Sequence, residues 1–228
     1  MTHLLCLETA TEVCSVALSA DGRCLACLED HSGNSHAERL MALTDQCLHE
    51  AGVDKRELHA VCISSGPGSY TGLRIGTSSA KGLCYALSIP LIAVPSLEGI
   101  ACGASLACPD EHCFCPMIDA RRMEVYYALY DAQGNVLQET GNRIIDAQSF
   151  EAERRRQTLV LCGNGAAKCQ AVLQGEGIRY SGTLSSARYL IPGAFQRWQQ
   201  KRFEDTAYFE PFYLKAFQAG KPHVKGLQ

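Results

Sequence analysis

The chain has 228 residues, 46% of them apolar, with 21 basic against 24 acidic side chains and a formal charge of -3. No run of 18 apolar residues occurs, which excludes a membrane-spanning helix, and at about 150 residues per domain the length fits two small, closely packed lobes. The charge balance argues against an extended basic groove for nucleic acid, which needs clustered Lys and Arg, while leaving room for a local basic patch. The opening MTHLLCLETA has no basic n-region and reaches Glu8 too early for a signal-peptide core, so a cytoplasmic location is expected.

The first elements read as a β-meander: HLLCLE, VCSVALS and RCLACLE, with Asp21-Gly22 as the turn between the second and third. Ser35 with Glu38 three residues on forms a capping box. From there Ala37, Leu40, Met41, Thr44, Cys47, Leu48 and Ala51 recur at helical spacing until Gly52. AVCISS is a strand running into GPGSYTG, and a second helix follows over Tyr70 to Leu87, stopped by Ser88, Ile89 and Pro90. LIAV is a short strand before a helix that starts near Ser96. The second half restarts the pattern with CFCPMID, EVYYALY, a turn at Gln133-Gly134 and NVLQE, with Asp119 standing 111 positions after Glu8. LVLCGNG then runs from a strand into G-x-G, as CISSGPG does earlier, which points to duplication of one unit with a junction near residues 104–112.

Thirteen cysteines, an odd number at irregular spacing and without a secretory segment, do not describe a disulfide framework. Cys24 and Cys27 form a CxxC within a strand, where residues three apart point to opposite faces. Cys102, Cys108, His112, Cys113 and Cys115 could supply one zinc but lack paired CxxC spacing, and core or loop thiols are the simpler account. His31, His36 and Glu38 do not form HExxH and read as solvated residues around a helix cap. EAERRRQ (151–157) reads as a solvated helix face and the tail after Gly220 as a frayed end.

GPGSYTG is the most informative stretch, since three glycines and two hydroxyl residues before a helix can turn amide donors toward an anion. Pro67 removes one donor, however, and neither the Walker Lys nor a full G-x-G-x-x-G is present. Close backbone packing is therefore favoured. Gly72, Gly76 and Ala80 continue at i+4 spacing as a small-residue face suited to packing against another helix. Glu8, Thr9, Thr11 and Asp119 follow the first strand of each half, where a metal-phosphate complex could be held. No glycine stands beside either carboxylate to let the backbone approach phosphate, and Arg121 and Arg122 make Asp119 an ion-pair partner.

In order along nearly the whole chain, ETATEVCSVAL, HAERL, SSGPGSYTGLRIG, KGL, AVPSLE, DARRMEVYYA, CGNGAAK and EPFYLK resemble the TsaB (YeaZ) family, with GPGSYTGLRIG the most specific. The resemblance implies a duplicated two-lobed α/β fold of the actin/Hsp70/sugar-kinase (ASKHA) kind. Its N-terminal lobe, with partner-binding helices, would span 1–106, and its C-terminal lobe and tail 107–228. It implies a non-catalytic assembly subunit, inactive alone and without a cofactor, that partners TsaD in forming N6-threonylcarbamoyladenosine beside the anticodon of tRNAs reading ANN codons. TsaC would supply threonylcarbamoyl-adenylate, TsaE would join the assembly, tRNA would be reached indirectly through the complex, and the chain alone would form a homodimer. No catalytic residue or metal ligand carries over. The partner interface carried onto the two helices is His36, Leu40, Leu43, Thr44 and Cys47, with Leu73, Thr77, Ala80, Lys81 and Cys84. The degenerate phosphate loop is Gly66, Gly68, Ser69, Thr71 and Gly72. Two enzyme readings of the same fold compete: an ATP-using phosphotransferase built on Glu8, Thr11, Asp119 and the glycine loop, and a metallopeptidase. Tyr70, standing where Phe is common, the cysteine-rich 102–115 segment and the tail beyond Lys215 depart from the family pattern.

Overall fold

Turn chemistry sets the first three strands. Asp21 and Gly22 both take positive φ, 48° and 78°, the pair of left-handed residues that lets a two-residue turn follow the twist of its strands. In the computed structural model, which describes residues 1–33 and 36–215, this turn joins β2 (Cys14–Ala20) to β3 (Arg23–Asp30), and β2 lies antiparallel to β1 (His3–Glu8). Ser35, the expected cap of the first helix, lies outside the described residues. That helix, α1, spans His36–Ala51 and stops at Gly52, whose φ is 66°. β4 (Leu58–Ser64) pairs parallel with β1 and leads to α2 (Tyr70–Leu87), which ends where Ser88 turns left-handed at φ 55°. β5 (Leu91–Val94) and α3 (Ser96–Ala107) complete the first half.

The second half contains β6 (Cys113–Asp119), β7 (Glu124–Asp131), β8 (Val136–Ile144), α4 (Glu151–Arg154), β9 (Leu159–Cys162), α5 (Asn164–Cys169), β10 (Ile178–Tyr180) and α6 (Ile191–Gln199). β8 continues to Ile144, well past NVLQE, while β10, a 3-10 turn at Ala187–Leu190 and α6 lie in a stretch to which the sequence pattern assigns no element. The two five-stranded sheets have the orders β3-β2-β1-β4-β5 and β10-β9-β6-β7-β8. Reversed, the second order is β8-β7-β6-β9-β10, so the halves share one topology strand for strand. The duplication is a matter of topology as well as of sequence, and the fold is the duplicated two-lobed ASKHA type.

Both faces of each sheet are covered, as parallel central strands require. On one face of the first sheet, Leu5, Leu7, Val16, Leu18 and Ile63 pack against α1 and α2. Its other face, Leu4, Cys6, Ala60 and Ile92, packs against Leu190, Ile191 and Ala194 from the end of the second half. In return, Leu97, Ile100, Ala101 and Ala104 of α3 pack on Phe114, Ile118, Ala128 and Val160 of the second sheet. Each half thus lends its last helix to the layer between the sheets, and Arg197 of α6 bonds Glu98 of α3 there with two contacts of 2.8 Å. Among the described residues, no helix is long and apolar enough to cross a membrane.

Candidate functional site

The glycine loop joins β4 to α2, and several of its polar groups are bonded within the chain. The Ser69 hydroxyl caps α2 by accepting from Gly72 N, and Ser69 N donates to Ala10 O at 2.7 Å. Gly66 N donates to Ser96 Oγ and its carbonyl accepts from Ser96 N, each at 3.0 Å. The glycines are needed because another piece of backbone lies against them. A Cβ at Gly68 would fall under 3.0 Å from Ala10 O, and one at Gly72 under 3.0 Å from Thr9 O, closer than real Cβ atoms come. Carbonyl oxygens from the loop after β1 therefore lie against the glycines at the start of α2, and Ala10 O takes the Ser69 amide that a phosphate would otherwise meet. Thr71 is exposed in the first turn. The small-residue face of Gly72, Gly76 and Ala80 corrects one expectation: its first two glycines pack on Thr9 and Ile63, not on another helix.

The two carboxylates expected at equivalent places have different surroundings. Glu8 is buried, and desolvation pushes its carboxyl up from 4.5 to about 7 despite hydrogen bonds from Ala10 N (2.6 Å) and Ser64 Oγ (2.9 Å). Burial disfavours the charged form that gripping a metal-phosphate complex would need. Asp119 is exposed, accepts from Arg121 N at 2.7 Å and forms its ion pair with Lys168. Arg121 and Arg122, expected as its charge partners, instead form the hairpin turn itself with φ of 71° and 50°, so the ion pair comes from α5. Thr11 Oγ1 bonds Ser185 Oγ, and Glu12 accepts from Asn164 Nδ2 at 2.6 Å, tying the loop after β1 to the second half.

Among the described residues, no group of three or more His, Cys, Asp or Glu side chains is placed to hold a metal ion. The cysteine-rich segment is divided by its sheet, with Cys113 and Cys115 packing on one face and Cys108 on the other. Cys24 is exposed, while Cys27 is half-buried beside Ser15 and Ser186. His31 pairs with Glu29 at 3.2 Å in solvent, and His36 is buried, which corrects its reading as a solvated cap residue.

Burial also decides what the two helices can offer a partner. His36, Leu40, Leu43, Thr44, Cys47, Leu73, Thr77, Ala80 and Cys84 are all buried within the chain itself, most of them in the cluster beneath α1 and α2. Lys81 is half-buried, and its Nζ donates to Ala207 O and Phe209 O. The apolar stripe of each amphipathic helix faces the sheet, leaving Met41 (39% exposed) and Tyr85 (87%) on the outside. The closing EPFYLK segment contributes a feature that residue-by-residue reading missed. Phe212 N donates to Ser65 O, the Tyr213 ring packs on Tyr70 at a tilt of 40° with centroids 4.8 Å apart, and Lys215 pairs with Glu124.

With this geometry, likeness to known proteins becomes informative. The family model for TsaD, the tRNA N6-adenosine threonylcarbamoyltransferase, matches residues 30–225. The chain belongs to that family. Among its relatives is the tRNA threonylcarbamoyladenosine biosynthesis protein TsaB of Escherichia coli (strain K12), 36% identical over 133 residues, or 58% of this chain and 57% of that protein. The match thus spans a little over half the length of that curated relative. YeaZ from Pseudomonas aeruginosa superposes with a TM-score of 0.80 at 29% identity, covering 94% of this chain and all of the other. TsaB (YeaZ) proteins are therefore the family members this chain is similar to. Component A of the (R)-2-hydroxyglutaryl-CoA dehydratase of Acidaminococcus fermentans shares the fold alone, with a TM-score of 0.53 at 11% identity over 88% of this chain and 99% of the other.

Proposed function

We propose that this chain is a non-catalytic assembly subunit in tRNA threonylcarbamoyladenosine biosynthesis. It partners the transferase TsaD in forming N6-threonylcarbamoyladenosine beside the anticodon of tRNAs reading ANN codons, in the cytoplasm. The observation that carries this reading is the filled glycine loop: the start of α2 packs against the carbonyls of Thr9 and Ala10, the latter bonded to the Ser69 amide, and burial pushes the Glu8 carboxyl beside it up to about 7. A phosphotransferase needs those amides free and that carboxylate charged, so the fold serves here as a scaffold. The TsaB names of its relatives support the pathway.

TsaD docks on the outer faces of α1 and α2, with the buried residues between them setting the spacing of the helices. Met41 and Tyr85 lead this contact, a homodimer uses the same face when TsaD is absent, and TsaE joins the larger complex. The test is reconstitution of tRNA modification from TsaC, TsaD, TsaE, threonine, bicarbonate and ATP, with and without the chain. Modification that requires the chain is the expected result, and equal modification without it, using TsaD from the same organism, removes the role.

A further inference from the structure

A β-bulge puts both thiols of the CxxC on one face of β3. Leu18 of β2 pairs with Ala26 and Ser19 with Cys24, so Leu25 is left without a partner, while Ala17 pairs with Cys27. Directly opposed residues of an antiparallel pair share a face, and Ala17 and Ser19 are two apart on β2. Cys24 and Cys27 therefore point to the same side, which corrects the expectation that thiols three apart diverge in a regular strand. Two ladder positions set their Cα atoms about 7 Å apart.

The surroundings are open and carry a cation. Cys24 and Arg188 are exposed and Cys27 is half-buried. Cys24 Sγ lies 3.5 Å from Ala26 O, in the direction of Cys27, and Cys27 Sγ lies 3.8 Å from Ser186 Oγ and Glu29 Oε1 and 3.9 Å from Ser15 Oγ. The Arg188 guanidinium, from the second half, sits beside Cys27 and within electrostatic reach of Cys24. Burial and the Cys27 sulfur push the Cys24 thiol up, and Arg188 works against them. Glu29 is taken up by Ser186 and His31, and Cys47 lies on the opposite face, in the cluster beneath α1.

We propose that Cys24 and Cys27 form a two-coordinate site for a soft monovalent cation, Cu(I). Thiolates favour Cu(I) and zinc, but a zinc site asks for four ligands, and among the described residues no third His, Cys, Asp or Glu is placed to join the pair. A disulfide usually joins Cα atoms about 4.4–6.8 Å apart, so this pair stands at the upper limit of that range. An ion between two sulfurs, at about 2.3 Å from each, bridges more than twice the length of an S–S bond. On loading, both S–H bonds break, two Cu–S bonds form and about two protons pass to solvent; copper stays Cu(I), so no electron moves. The resulting complex carries a single net negative charge, which Arg188 meets.

The test titrates the full, reduced chain with Cu(I) in the absence of oxygen against a chromophoric Cu(I) chelator, and maps shielded thiols by alkylation and mass spectrometry. One equivalent should protect Cys24 and Cys27 while Cys102, the third accessible thiol, reacts as before, and an equivalent of Zn²⁺ should protect neither. Cys24→Ser and Cys27→Ser should each weaken Cu(I) binding about 100-fold, and Cys102→Ser should leave it unchanged. Both serine variants should melt as wild type does, since serine nearly matches cysteine in shape, so lost binding is not lost folding. Arg188→Met should weaken binding about fivefold while X-ray absorption still shows two sulfur neighbours. Protection of Cys102 in place of the pair, unchanged affinity in either serine variant, or three or four sulfur neighbours around the ion overturns the proposal. So does ready closure of a Cys24–Cys27 disulfide by glutathione disulfide in the metal-free chain, which would mean that the thiols stand too close for a bridging ion.

Discussion

Gly72 and Gly82 lie on the same helix, and the same substitution should move stability in opposite directions. A Cβ at Gly72 would meet Thr9 O at under 3.0 Å, and its neighbour is backbone pinned on either side: Ala10 N bonds Glu8 and Ala10 O accepts from Ser69 N. Overpacking of this kind costs about 1–3 kcal/mol, and the limited freedom of the loop puts Gly72→Ala at about 3. Alanine regains about 1 kcal/mol of helix propensity, leaving a net loss of about 2 kcal/mol. At about 2–4 °C per kcal/mol for a chain of this size, the melting temperature should fall by about 4–8 °C. Gly82 is exposed and has nothing within 4 Å of a built Cβ, so Gly82→Ala keeps the propensity gain alone and should melt about 2–4 °C higher. Thermal melts of the isolated chain read both. A Gly72→Ala protein as stable as wild type would refute the claim that the glycines exist to admit the Thr9–Ala10 backbone.

Three further outcomes follow from burial and charge. Since burial raises Glu8 from 4.5 to about 7 in the folded chain, the unfolded chain loses its proton first. Its stabilising share is therefore complete below pH 4.5 and declines by on the order of 3 kcal/mol as pH rises through 7. Glu8→Gln removes that decline, and denaturant titrations from pH 5 to 8 that show parallel slopes for the two proteins would contradict it. Met41→Arg with Tyr85→Arg should reduce TsaD association at least tenfold in sedimentation with an unchanged melt, whereas Ala80→Arg, at a fully buried position, should unfold the chain. Of the thirteen thiols, ten are buried, so a thiol reagent should find Cys24, Cys27 and Cys102 in the native chain and all thirteen in denaturant.

Punctuation made much of the fold legible. Asp21-Gly22, Gly52, Ser88 before Pro90, and Gly134 mark real turns and stops, so β1 to β7 and α2 emerge close to their observed ends. The same signals hid α6, because IPGAFQRWQ places Pro192 and Gly193 inside a helix, where they read as loop; Pro is tolerated there because it sits in the first turn, where the N–H has no helical partner. β10 is three residues long and too short to show an alternation. The helix stripes were legible only in part, for a different reason. A stripe at helical spacing records amphipathicity, but only packing reveals that Leu40, Leu43 and Cys47 point toward the sheet. Asp119 found its cation 49 residues away in Lys168, and the decisive neighbours of the glycine loop, Thr9 and Ala10, come from another turn altogether. Local sequence announces that a glycine is needed without saying what approaches it.

What approaches is the same object in both halves. Gly68 and Gly72 admit the backbone that follows β1, while Gly163, at φ 86°, admits Met117 O, and Gly165 admits the backbone of Met117 and Ile118 at the end of β6. Each half therefore packs the end or exit loop of its own first strand against the glycines at its helix start, where a nucleotide would have to compete with covalently tethered backbone. Ligand present at about 100 times its dissociation constant stabilises a native chain by about 2.7 kcal/mol, or roughly 5–11 °C here. Millimolar ATP with Mg²⁺ should leave the melt of the isolated chain unmoved. A rise of that size would mean that the loops open, and it would return phosphate chemistry to the glycine loop.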